Sequence, residues 1–254
     1  MFFNYEHLQF RYEPFPIGRA IPFLDESTYG DMVDNFPPID LFESFQTMGK
    51  KGDKYTLSQK ENPKTYGAFV RSSPVWRELH AWIKSDDFVY GVLDALRERN
   101  IDLGYRQASP IRRLTKTVKS RLRGKGSSGR HVPLRARFEF SALPADGGCL
   151  PPHTDAPTKI ATIIVSMLKE GEWNPAFGGG TDVNRPKDQS MSFNQVNRVA
   201  DFDDMDVIDT FEFTPNQGVI FVKTFNSWHS VRPMTGHGSD ALRRTLTVNI
   251  ERLA

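Results

Sequence analysis

The sequence predicts an all-β core, a β-sandwich or jelly roll, supported by an N-terminal part that contains helices. Three observations predict it. Leu134 to Leu143 alternates strictly: Leu134, Ala136, Phe138 and Phe140 face one way, and Arg135, Arg137, Glu139 and Ser141 face the other. Further short strand-like runs, 159–168, 206–215, 218–225 and 243–253, are separated by turns rich in Gly and Pro rather than by crossover helices. Helical spacing of apolar residues is confined to the chain before residue 134.

Taken in order, Leu24 to Pro38 predicts a short helix closed by prolines, with Asp25, Ser27 or Thr28 as its cap. Met48 to Lys64 is polar and reads as loop, and Thr65 to Ser73 reads as a strand. Pro74 to Asn100 predicts helix broken near Ser85-Asp86-Asp87. Leu79, Trp82 and Ile83 make one apolar face, and Val89, Val92, Leu93 and Leu96 make another. From Pro110 to Arg137 the chain has ten Lys or Arg and no acid, while the remainder holds 23 basic against 31 acidic residues. That segment is either a solvated loop or a surface for an anionic partner. Its glycines, Gly124, Gly126 and Gly129, favour a loop. No boundary with a second core follows it. The expectation is one domain over 1–254, with 1–133 as helix-containing support plus basic loop and 134–254 as the core.

Composition sets further bounds. With 38% hydrophobic residues and 19 Phe among 254 residues, a large, partly aromatic core can form. The single cysteine, Cys149, excludes an internal disulfide and fits a reducing compartment. The start, MFFNYEHLQFRYEPFP, lacks the pattern of a secretory signal, and no apolar run reaches membrane-spanning length. A cytoplasmic protein with no membrane partner is expected.

The chemistry-bearing stretch is PPHTDAPTKIATIIV, with His153 and Asp155 at the rim of a strand. GVIFVKTFNSWHSVRP places His229 just after another apolar strand. Together His153, Asp155 and His229 can form a two-histidine, one-carboxylate face that grips one side of a divalent metal and leaves the other side open. Non-haem iron(II) oxygenases use this face. The residues are candidate catalytic groups as well as metal ligands. Taken singly, each has a plainer role: His153 as a turn histidine, Asp155 as a cap, His229 as a buried strand-end histidine.

GGCLPPHTD, GVIFVKTFNSWHSVRPMTG and RRTLTVNIE, in this order and spacing, resemble the iron(II)- and 2-oxoglutarate-dependent oxygenases, and in particular their prolyl-hydroxylase-like branch. The resemblance covers roughly 134–250 and nothing in the N-terminal half. It implies a double-stranded β-helix, with His153 and Asp155 after the second core strand and His229 from the seventh. It implies Fe(2+) and the cosubstrate 2-oxoglutarate, with ascorbate as a candidate reductant. It also implies dioxygenase chemistry in which a C–H bond is hydroxylated while succinate and carbon dioxide are released. In such enzymes a basic residue of the last strand holds the far carboxylate of 2-oxoglutarate. Of Arg243 and Arg244, alternation selects Arg243, because Arg243, Thr245, Thr247 and Asn249 form a wholly polar face. Arginine's planar fork suits a carboxylate, and Thr247 is the accompanying hydroxyl candidate. The interval from His229 to Arg243 is longer than usual for these enzymes, with TGHGSDAL as an extra loop. Lys159 and Thr162 are further candidates, but their opposite parity allows both to face the site only if a bulge intervenes.

The other histidines, His7, His80, His131 and His237, are not expected to be ligands, although His131 borders the basic loop. Gly178-Gly179-Gly180 lacks the context of a phosphate loop and is expected to let a turn pass close to the site entrance. Trp173 and Trp228 are expected in the core, and Cys149 as a small buried filler. The substrate class is a protein side chain, amino acid or small metabolite, with the basic segment favouring an anionic one; nucleic acid is disfavoured. The alternative from another class is a cupin-like metal-binding protein, acting as a sugar isomerase or as a non-enzymatic binding module. Cupins usually recruit more histidines than this triad offers.

Overall fold

The computed structural model describes residues 2–46, 53–107 and 133–253. The alternating run becomes β5 (Leu134–Pro144), which pairs antiparallel along its whole length with β12 (Leu242–Arg252). These two strands are the spine of an eight-stranded sheet. It also contains β1 (Gln9–Arg11), β2 (Ile17–Ala20), β3 (Glu43–Gln46), β4 (Asp53–Ser58), β7 (Lys159–Ser166) and β10 (Gly218–Val222). The order is β1-β2-β10-β7-β12-β5-β4-β3. A second sheet has the order β6-β11-β8-β9, from β6 (Leu150–His153), β11 (His229–Val231), β8 (Thr181–Pro186) and β9 (Met205–Phe211). All pairings are antiparallel, and the core strands cross from one sheet to the other as the chain advances. The fold is a double-stranded β-helix.

Side-chain parity decides what each face of the large sheet does. Phe138, Phe140, Leu246, Val248 and Ile250 are fully buried against the helices α1 (Glu26–Asp34), α2 (Pro63–Ser72), α3 (Pro74–Ile83) and α4 (Asp86–Arg97). Trp76 meets Phe140 edge to face at 4.7 Å, the geometry favoured by ring quadrupoles. The alternate residues point at the second sheet, where the site lies. Asp25 caps α1 by accepting from the Thr28 amide, and Ser85 caps α4 by accepting from the Phe88 amide, which is where the long helical stretch breaks. Among the described residues no helix is long and apolar enough to cross a membrane.

Two expectations are corrected. Thr65–Ser73 is not a strand but most of α2, which opens on Pro63 and buries Tyr66 and Val70, one turn apart. Its β-like composition yields to the apolar face that this helical spacing offers to Phe138 and Phe140. Within the expected 48–64 loop, Asp53–Ser58 is a strand that continues the sheet beside β5. It is held between β3, the strand just before it in the chain, and β5, some 85 residues away, and its polar composition gives no sign of either pairing. The basic segment falls outside the described residues except at its end, where Arg135 and Arg137 belong to β5.

Candidate metal centre

His153 is the last residue of β6, and His229 is the first of β11. They are direct cross-strand partners, which brings their rings to a centroid distance of 4.3 Å. Thr154 is buried, and the chain then turns at Asp155, whose φ of +67° lies in the left-handed region that non-glycine residues rarely occupy. This turn swings the carboxylate back, so that one Asp155 oxygen stands 3.8 Å from His153 Nε2. Ligand atoms of His153, Asp155 and His229 all lie within 4.8 Å of one another.

The hydrogen bonds fix which atoms face inward. His153 Nδ1 lies 2.8 Å from the Pro151 carbonyl, and His229 Nδ1 lies 2.9 Å from the Ser227 carbonyl. Only a protonated Nδ1 satisfies a carbonyl, so each neutral ring directs the lone pair of Nε2 to the cluster. Burial pushes both imidazoles below their ordinary pKa, His229 to about 3, with Asp155 opposing. Burial acts to raise the Asp155 pKa, but the Lys159 ammonium opposes it and holds the carboxyl well below the usual range. Two neutral imidazoles and one carboxylate are therefore in the protonation states a divalent cation needs.

Asp155 is held from behind. Lys159 Nζ donates to one of its oxygens at 2.7 Å, and Thr162 Oγ1 donates to the other at 2.9 Å. Lys159 and Thr162 share this side despite their opposite parity, because the β7–β12 register shifts between Ile250 and Glu251, where Ala161 and then Lys159 are the partners. The expected condition, a bulge, is met. Thr162 Oγ1 also lies 3.3 Å from an amide atom of the fully buried Asn249. The atom facing Thr162 is Asn249 Oδ1, and Asn249 Nδ2 has no partner among the described residues.

From the triad a cavity of about 80 Å³ runs along β12 to Arg243, lined by Thr247, Thr245 and Ser141. Arg243 is 4% exposed. Its Nε donates to the Gly179 carbonyl, Nη2 lies 3.5 Å from Thr181 Oγ1, and its guanidinium sits 5.0 Å from the Phe213 ring centre. Burial pushes its pKa down to about 10, with Asp182 opposing. No carboxylate bonds it among the described residues, and Ser141 Oγ, also on the cavity wall, has no partner. A buried cation and an orphan hydroxyl facing one small cavity are complementary to an anion. Arg244, on the opposite parity, pairs instead with Glu172 at the surface.

The extra length between His229 and Arg243 does not disturb Arg243. The loop is pinned by backbone bonds of Met234 and Gly236 to the β5–β6 turn. Of Gly178–Gly180, Gly179 passes against Arg243, at the far end of the cavity from the triad. Gly179 has φ +87°, and a side chain there would meet Met234, Trp173 and Arg243. Trp173, Trp228 and Cys149 are buried as expected. His80 packs against Phe138 and His237 pairs with Asp146, both away from the triad, while His131 lies outside the described residues. Glu139 and Lys54, 3.9 Å apart, also line the cavity. Glu139 shares the polar parity of β5, but Lys54 sits on the strand the sequence did not reveal.

No protein-family model matches the chain, and no curated protein matches it significantly. Solved structures do. A non-haem α-ketoglutarate-dependent epimerase, SnoN, from nogalamycin biosynthesis aligns over 93% of this chain and 76% of its own, with TM-score 0.51 and 13% identity. A prolyl-4-hydroxylase from Pseudomonas putida aligns over 93% and 92% at 12% identity, with TM-score 0.47. A prolyl hydroxylase from Trichoplax adhaerens, solved with a peptide of hypoxia inducible factor, gives 93% and 83%, 12% and 0.47. The likeness is one of fold.

Proposed function

We propose that this chain is an iron(II)- and 2-oxoglutarate-dependent dioxygenase that hydroxylates a C–H bond of an amino acid, a protein side chain or a small metabolite. One observation carries the reading: a single cavity has three converging ligand atoms at one end and, at the other, a buried arginine with no carboxylate bonded to it among the described residues. The donor set fits iron(II), since two imidazoles and a carboxylate occupy one side of the ion. The far end fits the distal carboxylate of 2-oxoglutarate, since Arg243 and Ser141 offer unused donors there.

When bound, iron(II) with 2-oxoglutarate and dioxygen supplies the oxidising chemistry, and 2-oxoglutarate leaves as succinate and carbon dioxide. The protein's own residues do the positioning. His153 and His229 hold the ion through Nε2 while their Nδ1–H groups stay committed to carbonyls. Thr162 and Lys159 fix the Asp155 carboxylate. Arg243 orients the cosubstrate, with Thr247 and Ser141 beside it. Residues 1–133 and 134–254 act as one domain in this reading, which the shared eight-stranded sheet supports.

The test is succinate release that requires both oxygen and 2-oxoglutarate, run with and without ascorbate, alongside a visible charge-transfer band when 2-oxoglutarate is added anaerobically to the iron-loaded protein. Absence of both the band and 2-oxoglutarate binding rejects the reading. Turnover to succinate without an oxygenated product keeps the oxygenase and rejects the hydroxylase. Metal retention without any such turnover favours the cupin-like alternative, for which no further described histidine stands at the site.

A further inference from the structure

A second hollow, about 370 Å³, shares Lys159 with the cavity of the triad. Its walls include Leu103, Tyr105 and Phe225, and three cations: Lys159, Lys223 and Arg252. No acidic side chain lines it. Phe225 is half exposed, with the Lys223 ammonium 5.5 Å from its ring centre. Lys223 Nζ donates to the Thr224 carbonyl and Arg252 Nη2 to the Pro157 carbonyl. Neither forms an ion pair among the described residues. Half-burial pushes the Lys223 pKa down, with Asp155 opposing. Lys159 lines both this hollow and the cavity of the triad, and its ammonium bonds Asp155.

We propose that this hollow seats the substrate: a small molecule whose carboxylate or phosphate group meets Lys223 and Arg252 while its apolar or aromatic part lies against Phe225, Tyr105 and Leu103. The volume is that of a small-molecule site rather than a protein interface. Two cations without carboxylate partners attract one anionic group, and exposed aromatic surface beside them rewards an apolar body. This assignment rests on the oxygenase reading only for the statement that the occupant is the substrate.

The first arm uses metal-free full-length protein and two fluorescent probes with the same ring system. They are anionic 8-anilino-1-naphthalenesulfonate and neutral N-phenyl-1-naphthylamine. Lys223→Gln and Arg252→Gln should each weaken the anionic probe about tenfold and change the neutral one less than twofold, with melting temperature unchanged. Phe225→Ala should weaken both. If neither charge removal affects the anionic probe, or if both probes weaken equally, the site is not an anion site and the proposal falls. The second arm uses iron-loaded enzyme and succinate release with panels of aryl carboxylates, aryl phosphates and matched neutral amides. Turnover confined to one anionic panel, with KM raised about tenfold by Lys223→Gln and kcat held, supports the proposal and names the group. Equal turnover of neutral analogues overturns it while leaving the oxygenase standing. Anion binding in the first arm with no succinate from any panel leaves the anion site standing and rejects the oxygenase role.

Discussion

Replacing Arg243 by methionine should stabilise the protein when no cosubstrate is present. The guanidinium is almost wholly buried, and burial pushes its pKa down to about 10. Below pH 9 it is charged in both the folded and the unfolded chain, so the folded state bears the full cost of that depression. At roughly 1.4 kcal/mol per pH unit, the cost is on the order of 3 kcal/mol. Methionine removes it and fills a similar volume against Phe213. Against this, the Gly179 carbonyl loses its donor, which costs about 1 kcal/mol. A net gain of about 2 kcal/mol should remain. Urea unfolding of the metal-free protein measures it, and with a slope of about 2 kcal/mol per molar the midpoint should rise by about 1 M. In the metal-loaded protein the same substitution should remove the further increase in midpoint that 2-oxoglutarate gives the parent, because losing a buried charge-assisted pair weakens binding by at least about 30-fold. A midpoint that falls in the ligand-free variant, or a 2-oxoglutarate effect that survives, would show that the protein itself satisfies Arg243 and would refute the anion-site reasoning.

Other outcomes follow from the same geometry. His153→Ala and His229→Ala should each lower iron affinity by more than about a hundredfold, read by metal titration, whereas His80→Ala should not. Thr162→Val removes the donor to Asp155 and leaves Asn249 unsatisfied; metal affinity should fall about tenfold with the fold retained, and an unchanged affinity would show that Asp155 needs no such support. Phe140→Ala should cost about 3–5 kcal/mol in urea unfolding, since this fully buried ring touches Phe36, Tyr66, Phe69, Trp76 and Phe138. Asp25→Ala should cost about 1 kcal/mol through loss of the α1 cap, and less than about 0.3 kcal/mol would mean that solvent replaces it.

The sequence by itself pointed to His153, Asp155, His229, Arg243 and Thr247 as candidates, but not to Lys54 or Ser141 on the same cavity wall. Period-two alternation settled that Arg243, Thr245 and Thr247 share the cavity side of β12 while Leu246, Val248 and Ile250 share the helix side, because a strand has only two faces and one of them here is wholly polar. It also located the break before α4 and the PPHTD and SWH segments. Tertiary structure decided the rest, where the deciding partner is distant. Asp53–Ser58 is a strand because it pairs with both β3 and the distant β5, and 65–72 is a helix whose Tyr66 packs on Phe138 and Phe140. His153 meets His229 because β6 pairs with β11 in a register that sets the two opposite each other. Asp155 joins them through a left-handed turn, and a bulge in β7 brings Lys159 and Thr162 to one side. Composition records what a residue prefers locally; register, bulge and turn depend on contacts between segments far apart in the chain, and those contacts form only when the whole sandwich closes.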